Sequence, residues 1–188
     1  MATIISGKEL SVTIRNEIAE EAKLFTEAHG RAPGLVVIIV GEDPASQVYV
    51  RNKHRACGEC GFWPEVVRLP EETKEEELLS IIDEYNAKES VDGILVQLPL
   101  PKHINATAVI NRISPDKDVD VFHPVNVGRL TTGDHVLSPC TPAGVMEMIK
   151  RSGIEVKGKK FVIISAGPDG EFGTEDDIRS DKIEKTKK

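Results

Sequence analysis

Residues 34–44 read GLVVIIVGEDP, and this stretch decides the fold class. Its apolar run at 35–40 is rich in β-branched side chains, which is typical of a strand covered on both faces. Asp43 and Pro44 then follow as the N-cap and the first residue of a helix. A buried strand that passes directly into a helix indicates a parallel sheet with helices packed on its faces.

The same alternation of helices and strands continues on both sides of this stretch. Before it, Ser6 and Glu9 form a capping box that opens a helix, and Gly30 ends that helix. The helix that starts at Pro44 runs to about Cys60. The other predicted elements are a strand at 62–69, a helix capped by Thr73 and Glu76, a strand at 91–98, a helix from Asn105 to Ile113, a helix from Thr141 to about Arg151, and a strand at 161–165. Residues 114–140 are predicted to be a loop rich in Asp, Pro and Asn.

Repeated βαβ units predict an α/β fold, with a three-layer domain built on a mostly parallel sheet. The chain has 188 residues, which is enough to bury a substantial core. Its net charge of −7 argues against nucleic-acid binding, because such proteins need a basic face. It has no apolar run long enough for a membrane span and no signal-peptide pattern at its start. Three cysteines are too few and odd in number for a disulfide framework, so a reducing cytoplasm is expected.

Tyr49 and Lys53 are the first candidates for chemistry. They lie four residues apart on a predicted helix and therefore share a face. An aromatic ring beside an amine suggests a flat ligand stacked on the ring, with the lysine able to move a proton. The alternative, which spacing alone favours, is that Tyr49 packs in the core while Lys53 and Arg51 are solvated.

Polar residues near two predicted strand ends are further candidates. Gln97 interrupts an apolar strand terminus, and its amide is satisfied either by a ligand or, equally well, by backbone groups. Asp116, Asp118 and Asp120 alternate in a loop, but the glycine and the helices of a calcium hand are missing. A solvated acidic loop is therefore preferred to a metal site.

Four long motifs occur in an order and spacing that resemble the bifunctional methylenetetrahydrofolate dehydrogenase/cyclohydrolase family. They are GEDPASQVYVRNKHRACGECG at 41–61, VDGILVQLPLPKHI at 91–104, PDKDVDVFHPVNVGRL at 115–130 and PCTPAGVMEMI at 139–149. The resemblance covers about residues 2–165. Several long motifs in register make a chance match very improbable.

The resemblance implies a folate site. It assigns Tyr49 to stacking on the folate, Lys53 to acid/base catalysis, Gln97 to supporting that lysine, and Asp120 to hydrogen bonding with the pterin ring. The other substrate-binding positions that it implies are Val96, Leu98 and Pro142. Two reactions are implied: NADP-dependent oxidation of 5,10-methylenetetrahydrofolate, and hydrolysis of the methenyl product to 10-formyltetrahydrofolate.

The sequence departs from the family pattern at Val121, where the family has glycine. If that position needs a positive φ, a β-branched residue is strained by roughly 1–3 kcal/mol. Asp120 would then be aimed differently, unless Val121 adopts an ordinary β conformation.

A second departure follows the strand at 161–165. The family continues from this strand with a Gly-Arg-Ser loop and a helix that hold the cofactor phosphates, whereas this chain continues with an acidic segment. Like charge would repel a phosphate there. We therefore expect no phosphate loop after Ser165, no retained cofactor and loss of the dehydrogenase activity. The expected domains are a folate-binding catalytic domain at 1–122, a stub of a Rossmann-like NAD(P)-binding domain at 123–165 and an atypical tail at 166–188.

The tail sequence GPDGEFGTEDDI resembles the calcium loop of major pseudopilins, with Asp169, Asp176 and Asp177 as weak metal candidates. A fused tail without function is preferred, and no metal is expected. Cys57 and Cys60 have redox-motif spacing, but without a second pair structural zinc is not expected.

The predicted function is therefore hydrolysis of 5,10-methenyltetrahydrofolate in one-carbon metabolism. The alternatives are an inactive folate-binding fragment and a calcium-binding module that depends on the tail. The family dimerises through its second domain, so the resemblance leaves the homodimer open for this chain.

Overall fold

The structure is a computed structural model that describes residues 5–135, 137–153, 155, 164–165 and 178–179. The chain divides into two compact units, Met1–Met148 and Ile149–Lys188. The strands of the first unit are β1 (Gly34–Val40), β2 (Trp63–Leu69) and β3 (Gly93–Val96). The helices are α1 (Gly7–His29), α2 (Pro44–Glu59), α3 (Glu75–Ala87), α4 (Ala106–Arg112), α5 (Pro124–Thr132) and α6 (Cys140–Arg151).

The three strands form a parallel sheet in the order β2–β1–β3. In its central register, Val37 of β1 lies opposite Val66 of β2 and Leu95 of β3. The predicted α/β fold with a mostly parallel sheet is confirmed. The bounds of the three predicted domains remain a prediction.

Each face of the sheet is covered by different helices. On the α3–α4 face, strand residues such as Ile38 and Ile94 pack against Leu78 and Ile82 of α3 and Val109 of α4. On the opposite α2 face, Val50 of α2 forms a smaller cluster with Val37, Ile39 and Leu95. The sheet is thus buried on both sides, as its continuous apolar strands predict.

The predicted caps of α1 and α2 are confirmed. The Ser6 hydroxyl accepts a hydrogen bond of 3.3 Å from the Glu9 amide, and Gly30 ends α1 in the left-handed region with φ 68°. The Asp43 carboxylate accepts a bond of 2.8 Å from the Ser46 amide at the start of α2. This contact lowers the pKa of Asp43.

The predicted capping box of α3 is wrong. The N-cap is Lys74, without a side-chain cap, because the Thr73 amide bonds to the carbonyl of Pro70 (3.1 Å) in the preceding turn. The Thr73 hydroxyl is buried and has no hydrogen-bond partner in the described part of the chain. Instead, three glutamates in the first turn of α3 stabilise the helix, because their negative charges interact favourably with the positive end of its dipole.

Two further features differ from prediction. Residues 114–140, predicted as a loop, contain helix α5, with His123 as its N-cap and Pro124 in its first turn. The predicted strand at 161–165 lies partly outside the described residues. Its last two residues form β4 (Ile164–Ser165), which pairs antiparallel with β5 (Ile178–Arg179).

Candidate active site

Lys53 and Gln97 meet at the carboxyl end of the parallel sheet. The Lys53 ammonium donates a hydrogen bond of 3.2 Å to Gln97 Oε1. Gln97 directly follows β3. Its backbone N–H donates a hydrogen bond of 2.8 Å to the Ile38 carbonyl, which fixes the backbone at this position. Side chains alternate along a strand, and Leu95 faces α2, so Gln97 is also directed toward α2. The prediction that these two residues interact agrees with this contact.

Gln97 is also held by its own side-chain amide group, which donates to the Leu98 carbonyl at 2.9 Å. Its oxygen is therefore oriented toward Lys53. The backbone alternative for Gln97 holds for its NH₂ group only, because its oxygen accepts from Lys53 instead. A ligand contact of Gln97 remains a prediction. An oxygen held in this way limits the rotamers of the long lysine side chain.

Tyr49 lies one turn before Lys53 on α2, and 62% of it is exposed. The alternative in which Tyr49 packs in the core is therefore wrong. The ring is an apolar surface next to the Lys53–Gln97 pair. His54, the next residue after Lys53, is exposed.

Asp120 supplies a negatively charged group to the site formed by Tyr49, Lys53 and Gln97. Its carboxyl is half-buried, and loss of hydration raises its pKa above the ordinary value. The positive charge of Lys53 acts in the opposite direction, and the negative charge of Asp118 raises the pKa further. Asp120 is therefore close enough to Lys53 for the two charges to interact.

The segment that carries Asp120 is fixed against β3. Asp118 forms a parallel bridge with Ile94, whose amide donates to the Lys117 carbonyl at 2.7 Å. Gly93 permits this close approach, because a Cβ there would lie 2.5 Å from a methyl carbon of Val119. The site thus joins one helix, one strand end and one bridged loop.

The prediction of a solvated acidic loop holds for Asp116, which is exposed, but not for Asp118, which is buried. The Asp118 carboxylate accepts bonds from the amides of Phe122 (3.3 Å) and His123 (2.9 Å) and from the Asn126 side chain (3.0 Å). Sequence reasoning missed this role. The signal was His123-Pro124, a helix start that needs its free amides satisfied.

Val121 has φ 60° and is 3% exposed. The alternative of an ordinary β conformation is therefore wrong, and the strained conformation is the one adopted. A β-branched residue in this region is a genuine backbone outlier, and it directly follows Asp120.

The other predicted substrate contacts are placed less favourably. The Val96 side chain is buried in the core of the α3–α4 face, so the structure gives no support to a contact with substrate through that side chain. Leu98 is half-buried beside Gln97, and Pro142 is exposed in the first turn of α6. Within the described residues, Pro142 shares no hydrogen bond with Lys53, Gln97 or Asp120.

Among the described residues, no cluster of ligand side chains suits a metal ion, and no helix is long and apolar enough to cross a membrane. Asp169, Asp176 and Asp177 lie outside the described residues. Cys57 and Cys60 are free thiols, and burial raises the pKa of both. The Cys60 thiol donates to the Arg15 carbonyl at 3.6 Å, which is consistent with a structural role.

The sequence after β4 is unlike a dinucleotide-binding loop, which has a glycine-rich turn and a helix after the strand. Residues 166–177 lie outside the described residues, so the expected lack of a phosphate loop after Ser165 stays a prediction. The intervening sequence carries five carboxylates at Asp169, Glu171, Glu175, Asp176 and Asp177. Carboxylates repel phosphate groups rather than bind them.

A parallel α/β sheet with polar groups gathered beyond its strand ends defines a ligand-binding domain of the open-sheet class. The family model described as tetrahydrofolate dehydrogenase/cyclohydrolase, catalytic domain, matches residues 5–120. The chain therefore belongs to the tetrahydrofolate dehydrogenase/cyclohydrolase family, and the predicted resemblance is confirmed.

Individual relatives agree with this assignment. The bifunctional protein FolD of Streptococcus sanguinis is 53% identical over 164 residues, which are 87% of this chain and 58% of that protein. The FolD dehydrogenase/cyclohydrolase of Campylobacter jejuni superimposes with a TM-score of 0.79 at 46% identity, covering 84% of this chain and 56% of that one. The Trypanosoma brucei FolD, solved with NADP cofactor and an inhibitor, gives a TM-score of 0.79 at 40% identity, covering 84% and 54%. The chain thus spans little more than half the length of these relatives.

Proposed function

We propose that the chain is a folate-binding catalytic domain that hydrolyses 5,10-methenyltetrahydrofolate to 10-formyltetrahydrofolate. The observation that carries the proposal is the 3.2 Å hydrogen bond from Lys53 to Gln97, formed within charge range of Asp120. The names of the relatives, which are bifunctional dehydrogenase/cyclohydrolase proteins, support the same substrate class.

The exposed Tyr49 ring suits the flat pterin, because aromatic rings bind heterocycles by stacking. Asp120 suits the pterin's adjacent N–H donors, because a carboxylate accepts two hydrogen bonds at once. Its partial burial removes competing water, which strengthens those bonds. Substrate would thus be held with its one-carbon bridge near Lys53.

Hydrolysis adds water to the methenyl carbon between N5 and N10. Lys53, acting as the neutral amine, takes one proton from this water as the carbon–oxygen bond forms, and it gives that proton to N5 as the carbon–N5 bond breaks. The remaining hydroxyl proton of the intermediate leaves to solvent as the formyl C=O forms, which releases the positive charge of the methenyl group. Gln97 keeps the lysine nitrogen at one position between these two transfers. One water is consumed, the formyl group remains on N10, and no nucleotide is needed.

NADP-dependent oxidation of 5,10-methylenetetrahydrofolate is left out of the proposal. Hydride transfer would require a bound cofactor, and the acidic residues between β4 and β5 do not suit its phosphates. The proposed role in one-carbon metabolism therefore depends on the hydrolytic half of the family's chemistry.

The test is the loss of 5,10-methenyltetrahydrofolate absorbance, compared between the natural chain and Lys53→Ala. General acid–base catalysis contributes about 10²–10⁴-fold, so the variant is expected to lose at least 100-fold in rate. Lys23→Ala, an exposed lysine of α1, is the matched control and should keep full activity. If neither chain hydrolyses faster than buffer while folate still binds, the chain is an inactive folate-binding fragment, whereas an equal rate above buffer in both would contradict the role of Lys53.

A further inference from the structure

Asp118 is the most deeply buried carboxylate among the described residues, with 3% exposure. Its two oxygens together accept hydrogen bonds from the backbone amides of Phe122 and His123 and from the Asn126 side chain. The Asn126 side chain also donates to the Pro115 carbonyl at 2.7 Å. These contacts hold the start of α5 to Asp118 and to Pro115, and so fix the turn between Asp118 and α5.

Asp118 itself is anchored to the sheet through its bridge with Ile94. The neighbouring Lys117 ammonium donates to three carbonyls at the end of α3, those of Tyr85, Asn86 and Lys88. Lys117 and Asp118 are therefore fixed against α3 and the sheet. Because Asp120 and Val121 follow them closely in the chain, their backbone positions are restricted as well.

We propose that Asp118 is a positioning residue that holds Asp120 toward Lys53 by fixing the strained turn at Val121. This inference rests on the proposed folate site. It assigns Asp118 no contact with substrate, and Asp118 acts only through the backbone that carries Asp120.

The strain at Val121 is the reason that such a tie is needed. A β-branched residue with φ 60° relaxes toward the β region when nothing holds its neighbours. That relaxation would rotate the adjacent peptide and turn the Asp120 carboxylate away from Lys53. The amides of Phe122 and His123, held by Asp118, prevent it.

The test combines Asp118→Asn with Asp120→Asn in a double-mutant cycle, with methenyltetrahydrofolate hydrolysis as the assay. Asp118→Asn keeps the side-chain volume and one acceptor oxygen, and its thermal midpoint verifies folding. We expect KM to rise about tenfold in Asp118→Asn, with kcat within about threefold. In the Asp120→Asn background, the same change should add nothing, because the side chain that it positions is already disabled. Fully additive losses, or a KM equal to that of the natural chain, would overturn the inference.

Asp116→Asn is the matched control, because Asp116 is an exposed aspartate two residues away. It should leave kcat and KM unchanged. Amide hydrogen exchange at Phe122 and His123 gives a second readout that needs no substrate. It should be at least tenfold faster in Asp118→Asn than in Asp116→Asn, and equal exchange would overturn the inference. A natural chain without turnover would contradict the proposed function, whereas the exchange result would still decide the role of Asp118.

Discussion

The two faces of the parallel sheet differ in how much of their surface is used for packing. The cluster on the α3–α4 face has twelve buried residues, whereas that on the α2 face has four. The α2 face carries Tyr49 and Lys53 and receives Gln97. The larger buried cluster and the polar candidate site thus lie on opposite faces of the same sheet.

This separation suggests that stability and activity can be changed independently. A buried apolar residue of the α3–α4 face contributes mainly to the free energy of unfolding. The half-buried polar residues of the α2 face contribute little to it, because they bury little apolar surface. Variants on the α3–α4 face should therefore lower stability and keep activity, whereas variants on the α2 face should lower activity and keep stability.

The largest expected effect is on the α3–α4 face. Ile82 is fully buried, so Ile82→Ala should lower the free energy of unfolding by about 2–5 kcal/mol. Denaturant unfolding measures this change, and kcat of the folded fraction should stay the same. Leu24→Ala, at an exposed residue of α1, should change stability by less than about 0.5 kcal/mol. Equal destabilisation by both variants would contradict the packing assigned to this face.

The next effect is on the α2 side. Gln97→Leu removes the acceptor of the Lys53 hydrogen bond, and bonds to charged groups contribute about 1.5–3 kcal/mol. The hydrolysis rate should fall about 10–100-fold, with a nearly unchanged unfolding midpoint. Gln47→Leu, at a glutamine of α2, is the control and should keep the rate. Should Gln97→Leu unfold the chain instead, the separation of the two faces would be lost.

A smaller effect is expected at Tyr49. Stacking contributes about 0.5–1.5 kcal/mol, so Tyr49→Ala should raise KM for folate about 2–10-fold. Because the ring is mostly exposed, the unfolding midpoint should change little. Tyr49→Phe keeps the ring and should keep KM. Titration of folate by intrinsic fluorescence or calorimetry checks the affinity directly, and an unchanged affinity in Tyr49→Ala would argue against stacking.

The smallest effect concerns the pH dependence of stability through Asp120. Its pKa is raised in the folded chain, chiefly by loss of hydration, so the folded state binds more protons than the unfolded state. Stability therefore falls as pH rises from the ordinary aspartate pKa to the raised one, and the loss is complete above it. Asp120→Asn should melt slightly higher than the natural chain at pH 7. Thermal melts should show this difference disappearing below the ordinary pKa of aspartate, and a lower melting point at pH 7 would contradict the assigned cause.

Much of this comparison is predictable from the sequence. The run at 35–40 and the caps Ser6 and Asp43 predict their elements correctly, because each signal acts within a few residues. The shared face of Tyr49 and Lys53 follows from helical spacing alone. Their exposure does not, because the spacing is the same whether a face is covered or free.

The errors lie where distant residues decide local structure. The N-cap of α3 is Lys74, one residue after Thr73, because a turn from Pro70 uses the Thr73 amide. Helix α5 was missed because Asn126 and Gly128 weaken its apolar pattern, and its start depends on a carboxylate five residues before His123. The positive φ of Val121 likewise depends on contacts that no local propensity describes.

Lys53 is proposed to catalyse hydrolysis without a dinucleotide. The most direct test follows two reactions on one preparation, methenyltetrahydrofolate hydrolysis and NADP reduction with methylenetetrahydrofolate, for the natural chain and Lys53→Arg. Arginine keeps the charge but cannot give up a proton. We predict hydrolysis by the natural chain, at least 100-fold less by Lys53→Arg, and no NADPH from either. Hydrolysis that survives Lys53→Arg, or NADPH formation by the natural chain, would contradict the claim.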